Sequence, residues 1–124
     1  MINSSNNQTD EVVMSIKNSS LTNQGAVVVI KGSANLKEQL IFSSDFKISK
    51  LVNAKYEPLE YKIANVAWES IGYPIKKNTS IELEIKWEYL YGKLEPGSYK
   101  LEKEYFVDGK VDVKKTVATE FEIK

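Results

Sequence analysis

Ser80-Ile81-Glu82-Leu83-Glu84-Ile85-Lys86-Trp87-Glu88 is the stretch that decides the fold class. Apolar side chains at 81, 83, 85 and 87 alternate with charged ones at 82, 84, 86 and 88, and a period of two puts one set on each face of an extended strand. Downstream, Tyr99, Leu101, Tyr105 and Val107 share a phase. Asp108-Gly109 then reads as a two-residue hairpin turn, and a last strand is expected over 110–123 with Val111, Val113, Val117, Phe121 and Ile123 facing inward. Upstream, Val12, Met14 and Ile16 alternate before the turn residues of Asn18-Ser19-Ser20 and Leu21-Thr22-Asn23-Gln24-Gly25. Ala26 to Lys31 is a continuous β-branched run, the pattern of a strand buried on both faces or central in its sheet, and Gly32 to Asn35 ends it. Phe46 and Ile48 open a further strand that a turn near Val52-Asn53-Ala54 returns onto Tyr56, Leu59 and Tyr61, with Pro58 marking an edge. The 65–73 segment has no consistent period and reads as a crossing loop. No stretch of ten or more residues carries helical spacing. The result is an all-β chain of about seven strands, an antiparallel sandwich rather than a parallel sheet.

Composition closes off several chemistries. The chain has 124 residues, 17 Lys+Arg against 17 Asp+Glu, no His and no Cys, and every one of its cations is Lys. A domain of this size buries roughly two-thirds of the surface its unfolded chain would expose, so it needs neither disulfide nor metal to hold a core. Lacking thiolate and imidazole, it has no ligand set for structural zinc and no general base near neutral pH. Lacking Arg and a net positive field, it is not a nucleic-acid binder. The longest apolar run, Ala26 to Ile30, is far short of the ~20 residues of a membrane span. Met1 to Asp10 has neither the basic nor the apolar segment of a signal peptide. It reads as a flexible polar tether ahead of one domain, 11–124, and suits either the linker of an anchored protein or the loose start of a cytoplasmic one.

The run Trp87-Glu88-Tyr89-Leu90-Tyr91-Gly92-Lys93-Leu94-Glu95-Pro96-Gly97-Ser98-Tyr99-Lys100-Leu101 carries a W-x-x-x-Y-G-x-L-x-x-G-x-Y block. With Leu21 to Gly25 before it and Ala118 to Ile123 after it, this block resembles a bacterial immunoglobulin-like domain family of Gram-positive surface proteins and lipoproteins. The resemblance implies an immunoglobulin-like β-sandwich with no enzymatic activity and no cofactor, serving as a spacer or protein-interaction module in an exported or cell-surface-anchored protein. Trp87, Gly92, Pro96, Gly97 and Tyr99 are then structural. Physical reasoning gives the same roles: Pro96-Gly97 forces a turn, Tyr99 returns its phenol to that turn as a tyrosine corner, and Trp87 plugs the core. A weaker similarity, through Trp87 and Pro96-Gly97-Ser98-Tyr99, is to the intracellular proteinase inhibitors of bacilli. It implies a cytoplasmic serine-protease inhibitor of the same sandwich type.

Candidate chemistry is sparse. Glu82, Glu84 and Glu88 share the wet face, strand neighbours lying about 7 Å apart, but Lys86 interrupts them and no calcium loop accompanies them. They read as a solvated face that resists edge pairing. Ser19-Ser20 and Ser43-Ser44 are turn residues without a base. We therefore assign no catalytic, metal or cofactor residue. The candidate interaction surface is aromatic: Phe106, on the face opposite the core beside Asp108-Gly109, and Tyr91, Tyr89, Trp68 and Tyr73 in loops or strand ends. A protein partner fits such a surface best, with a carbohydrate a lesser alternative, and the chain is expected to be a monomer.

Overall fold

A computed structural model describes residues 11–124 and resolves them into nine strands. The polar tether expected over 1–10 lies outside the described residues. Strand β1 (Val12–Ile16), β2 (Gly25–Gly32) and β7 (Ser80–Lys86) form an antiparallel sheet in that order, with β2 central. The second sheet is built on β8 (Gly97–Val107). All of β9 (Lys115–Ile123) pairs with it along the 97–105 stretch. Along its other side, β4 (Lys47–Val52) pairs with 99–102 and β3 (Leu40–Phe42) with 105–107. Two short strands, β5 (Lys55–Pro58) beside β4 and β6 (Tyr73–Ile75) beside β3, close that edge. All pairings are antiparallel, so the expected sandwich is present.

The core follows the strand phases. Val12, Met14, Val28, Ile30, Leu40, Phe42, Ile48, Leu101 and Tyr105 face one another across the two sheets and are almost wholly buried. Trp87, Phe121 and Tyr99 stack in a row with centroids 5.4 and 5.5 Å apart, and the indole Nε1 donates to the Asn23 carbonyl at 2.8 Å. The Tyr99 hydroxyl donates to the Glu95 carbonyl at 2.6 Å, tying the start of β8 to the turn before it. On the side where the two sheets meet through β1 and β9, Lys115 Nζ lies 2.9 and 3.0 Å from the Glu11 carboxylate oxygens, and the Tyr105 hydroxyl donates to the same carboxylate at 3.1 Å.

Several expectations are corrected. A turn does form at Asp108-Gly109, the Lys110 N–H donating to the Val107 carbonyl at 2.8 Å, but it is not the whole β8–β9 connection, which is a loop over 108–114 because the two strands stop pairing at Tyr105 and Lys115. Val111 and Val113 are in that loop, 60% and 57% exposed, rather than in the core. Replacing Val113 with Asp should therefore leave unfolding free energy within about 0.5 kcal/mol of wild type in urea titrations. Glu88 does not continue β7. The chain turns at Trp87 into a single helical turn, α1 (Glu88–Tyr91), which Gly92 ends at φ 79° by donating its N–H to the Glu88 carbonyl at 2.7 Å. The run in β2 is central but not buried on both faces, since Val27 and Val29 are half-buried on the outer one. The return strand ends at Pro58, so Leu59 and Tyr61 follow it in the crossing segment.

The β4–β5 hairpin has its own strain. Its two central residues, Asn53 and Ala54, both adopt left-handed backbone, with φ of 52° and 66°. That is the primed turn a twisted hairpin favours, but Ala has no local hydrogen bond to offset the roughly 1–2 kcal/mol that an L side chain costs there. Ala54→Gly relieves it against a smaller gain in unfolded-chain entropy. The expected outcome is a stability increase of up to about 1 kcal/mol in the same titration.

Candidate functional site

The sandwich is closed on the β1–β9 side but open beside β7, the free end of the three-stranded sheet. The segment between β5 and β6 does not supply a strand there. It runs as irregular chain between two edge strands of the six-stranded sheet, and Ser44 fastens it by donating its hydroxyl to the Glu69 carbonyl. A groove of about 360 Å³ is left between that segment, β7 and the beginning of β4.

Four aromatic rings shape this groove: Phe46, Trp68, Tyr73 and Tyr89. Phe46 is buried in front of β4, and Trp68 stands edge-on to it with centroids 5.1 Å apart. Tyr89, on α1, is 54% exposed. The opposite wall is β7 itself, with Leu83 and Ile85 turned inward and Glu82, Glu84 and Lys86 at the rim. The rim charges are paired loosely in water: Glu82 with Lys17 at 3.5 Å and Glu84 with Lys86 at 3.8 Å.

Lys103 also lines the groove, although it is only 1% exposed. It sits in the inward phase of β8, between Leu101 and Tyr105, and its ammonium donates to the Asp45 carbonyl at 3.0 Å. Burial pulls its pKa down from 10.5 to about 8, partly offset by the negative field of the Asp45 carboxylate. Lys103 thus clamps the β3–β4 connection against β8, and it is the one charged side chain among the buried residues described.

Three of the five aromatic residues expected to form an interaction surface, Trp68, Tyr73 and Tyr89, are brought together here. The other two are not. Tyr91 is 5% exposed, stacked on Tyr61 at 5.2 Å and tilted against Phe46 at 6.4 Å, so it supports the groove from behind and does not line it. Burial raises the pKa of its phenol well above the usual tyrosine value. Phe106 does face away from the core, but it is half-buried, pairs across the sheet with Ile41 and does not line the groove. Phe46 and Lys103 are among the groove residues that the sequence does not point to as site members. For Lys103 a signal existed: an amine in the phase of Tyr99, Leu101 and Tyr105 has to be buried if those residues are.

The groove offers flat apolar faces, carboxylates at its rim and one buried amine. Among the described residues no group of three or more carboxylates is placed to hold a metal ion, and no helix is long and apolar enough to cross a membrane. A family model described as a bacterial Ig-like domain matches residues 8–122. No curated protein and no solved structure matches the chain.

Proposed function

The chain belongs to the bacterial Ig-like domain family, and from that premise we propose that it is a non-enzymatic contact module of an exported or lipid-anchored protein of a Gram-positive bacterium. Such domains are commonly extracellular or surface-associated. The observation that supports a contact role over a bare spacer is the groove, which gathers Phe46, Trp68, Tyr73 and Tyr89 on one side of the sandwich. A spacer needs only its two ends. An aromatic groove beside an open sheet edge is surface that a partner can cover.

The test uses a photoreactive side chain at position 89 in the full-length protein in its own host. Irradiation of intact cells should give a discrete crosslinked product from position 89 and none from position 13, on the exposed face of β1. Equal labelling from both sites, or protein that an impermeant reagent reaches only after lysis, overturns the reading. The inhibitor alternative finds its support in the exposed 108–114 loop, where Val111 and Val113 project as a protease substrate would. Near-stoichiometric slowing of a subtilisin-type protease would put that alternative first.

A further inference from the structure

We infer that the open edge of β7 accepts an extended partner segment as an added antiparallel strand, one that alternates Lys or Arg with apolar residues. This rests on the contact reading above and names the chemistry of the partner.

Hydrogen bonding fixes which groups β7 offers. The Trp87 N–H donates to the Gln24 carbonyl at 3.1 Å and the Gly32 N–H to the Thr79 carbonyl at 2.8 Å. Both pairs continue the β2–β7 register, so the odd-numbered residues of β7 bond to β2. The peptide groups of Ser80, Glu82, Glu84 and Lys86 therefore point outward from the sheet. Other edges are blunted: β5 carries Pro58, β6 carries Pro74, and β1 lies against β9 through the Glu11–Lys115 pair. β7 has no proline, and its guard is charge alone.

That charge selects the occupant. A strand paired with β7 places residues directly opposite Glu82 and Glu84 on the outer face, where cations replace the loose exposed partners Lys17 and Lys86. The residue between them comes opposite Leu83 and turns into the groove, toward Phe46 and Trp68, where an apolar side chain is favoured. In the register centred on Leu83 a second copy of this chain is disfavoured, because antiparallel pairing of two β7 edges there sets Glu82 of each against Glu84 of the other, two like-charged pairs.

Two capped heptapeptides test this on the purified protein: Thr-Val-Lys-Val-Lys-Val-Thr and the same peptide with Glu for Lys. In low salt the Lys peptide should shift the amide resonances of Glu82 and Glu84 and not those of β5, and bind roughly tenfold tighter than the Glu peptide. Glu82→Lys with Glu84→Lys, both exposed and so compatible with folding, should invert the preference. N-methylation of alternate peptide nitrogens should abolish binding. Amide shifts unmoved at about 1 mM peptide, equal affinity for both peptides, self-association through β7, or an oligosaccharide that occupies the groove where the peptides do not would each overturn strand addition. A crosslink from position 89 on cells together with failure of both peptides removes this inference and leaves the contact reading standing. Peptide binding with no such crosslink does the reverse.

Discussion

Trp87→Ala should lower the unfolding free energy by about 3–5 kcal/mol, the largest single effect expected in the domain. The indole is completely buried, stacks on Phe121 at 5.4 Å and satisfies its Nε1–H on the Asn23 carbonyl at 2.8 Å. Truncation leaves a cavity that a β-sandwich fills poorly, because its neighbours come from different strands: Phe121 from β9, Tyr99 from β8 and Asn23 from the turn before β2. It also removes one of the two donors to the Asn23 carbonyl, which keeps the Leu94 N–H at 2.9 Å, so the lost hydrogen bond itself costs only about 0.5–1.5 kcal/mol. Since a domain of this size has only about 5–15 kcal/mol in total, the variant should be marginally folded at 37 °C. Trp87→Phe keeps a ring stacked on Phe121 while losing the hydrogen bond and part of the indole's buried volume, and should cost an intermediate amount, about 1–3 kcal/mol. Urea titration of the three proteins measures both. A loss below about 1 kcal/mol for the alanine variant would mean that the indole does not hold the two sheets together.

The strands that sequence alone makes legible are those with enough residues to show a period and one face against the core. β1, β7, β8 and the end of β9 qualify. β3 and β6, three residues each, are too short to carry an alternation. Val111 and Val113 mislead for the opposite reason. They keep the phase of Val117 and Phe121, but phase continues through a loop as easily as through a strand, and only the register of β8 with β9 ends the pairing at Lys115. The tyrosine corner and the tryptophan plug are readable because each rests on a local motif, Pro96-Gly97 before Tyr99 and a strand phase leading to Trp87. The groove is another matter. Its walls come from positions 46, 68, 83, 89 and 103, which no spacing rule connects. Trp68, Tyr73 and Tyr89 could be named as exposed aromatics, but that they share one cleft, while Tyr91 two residues from Tyr89 turns into the core, is decided by the way α1 and the crossing segment pack.

The second large effect is a rise of stability with pH that belongs to Lys103. Its amine ionises near 8 in the folded chain and near 10.5 when unfolded, because burial penalises the ammonium more than the Asp45 carboxylate favours it. Below pH 8 both states hold the proton, and the folded state bears the cost of a buried charge. Between pH 8 and 10.5 the folded chain releases that proton while the unfolded chain keeps it, so the unfolded state binds more protons and unfolding free energy increases with pH. Integrated from pH 7.5 to 9.5, the gain is about 2 kcal/mol. The window closes above that. Desolvation raises the phenol pKa values of Tyr91 and Tyr99 in the folded state, so their ionisation in the unfolded chain lowers stability from about pH 10 upward. Lys103→Met removes the titrating group and keeps the volume of its stem. Its stability at pH 7 balances the relieved ammonium against the donor lost by the Asp45 carbonyl, but its slope does not depend on that balance. Urea midpoints at half-unit steps should rise between pH 7.5 and 9.5 for wild type and stay level for the variant. Parallel curves for the two proteins would show that Lys103 keeps an ordinary amine pKa, and hence that water reaches it through the groove.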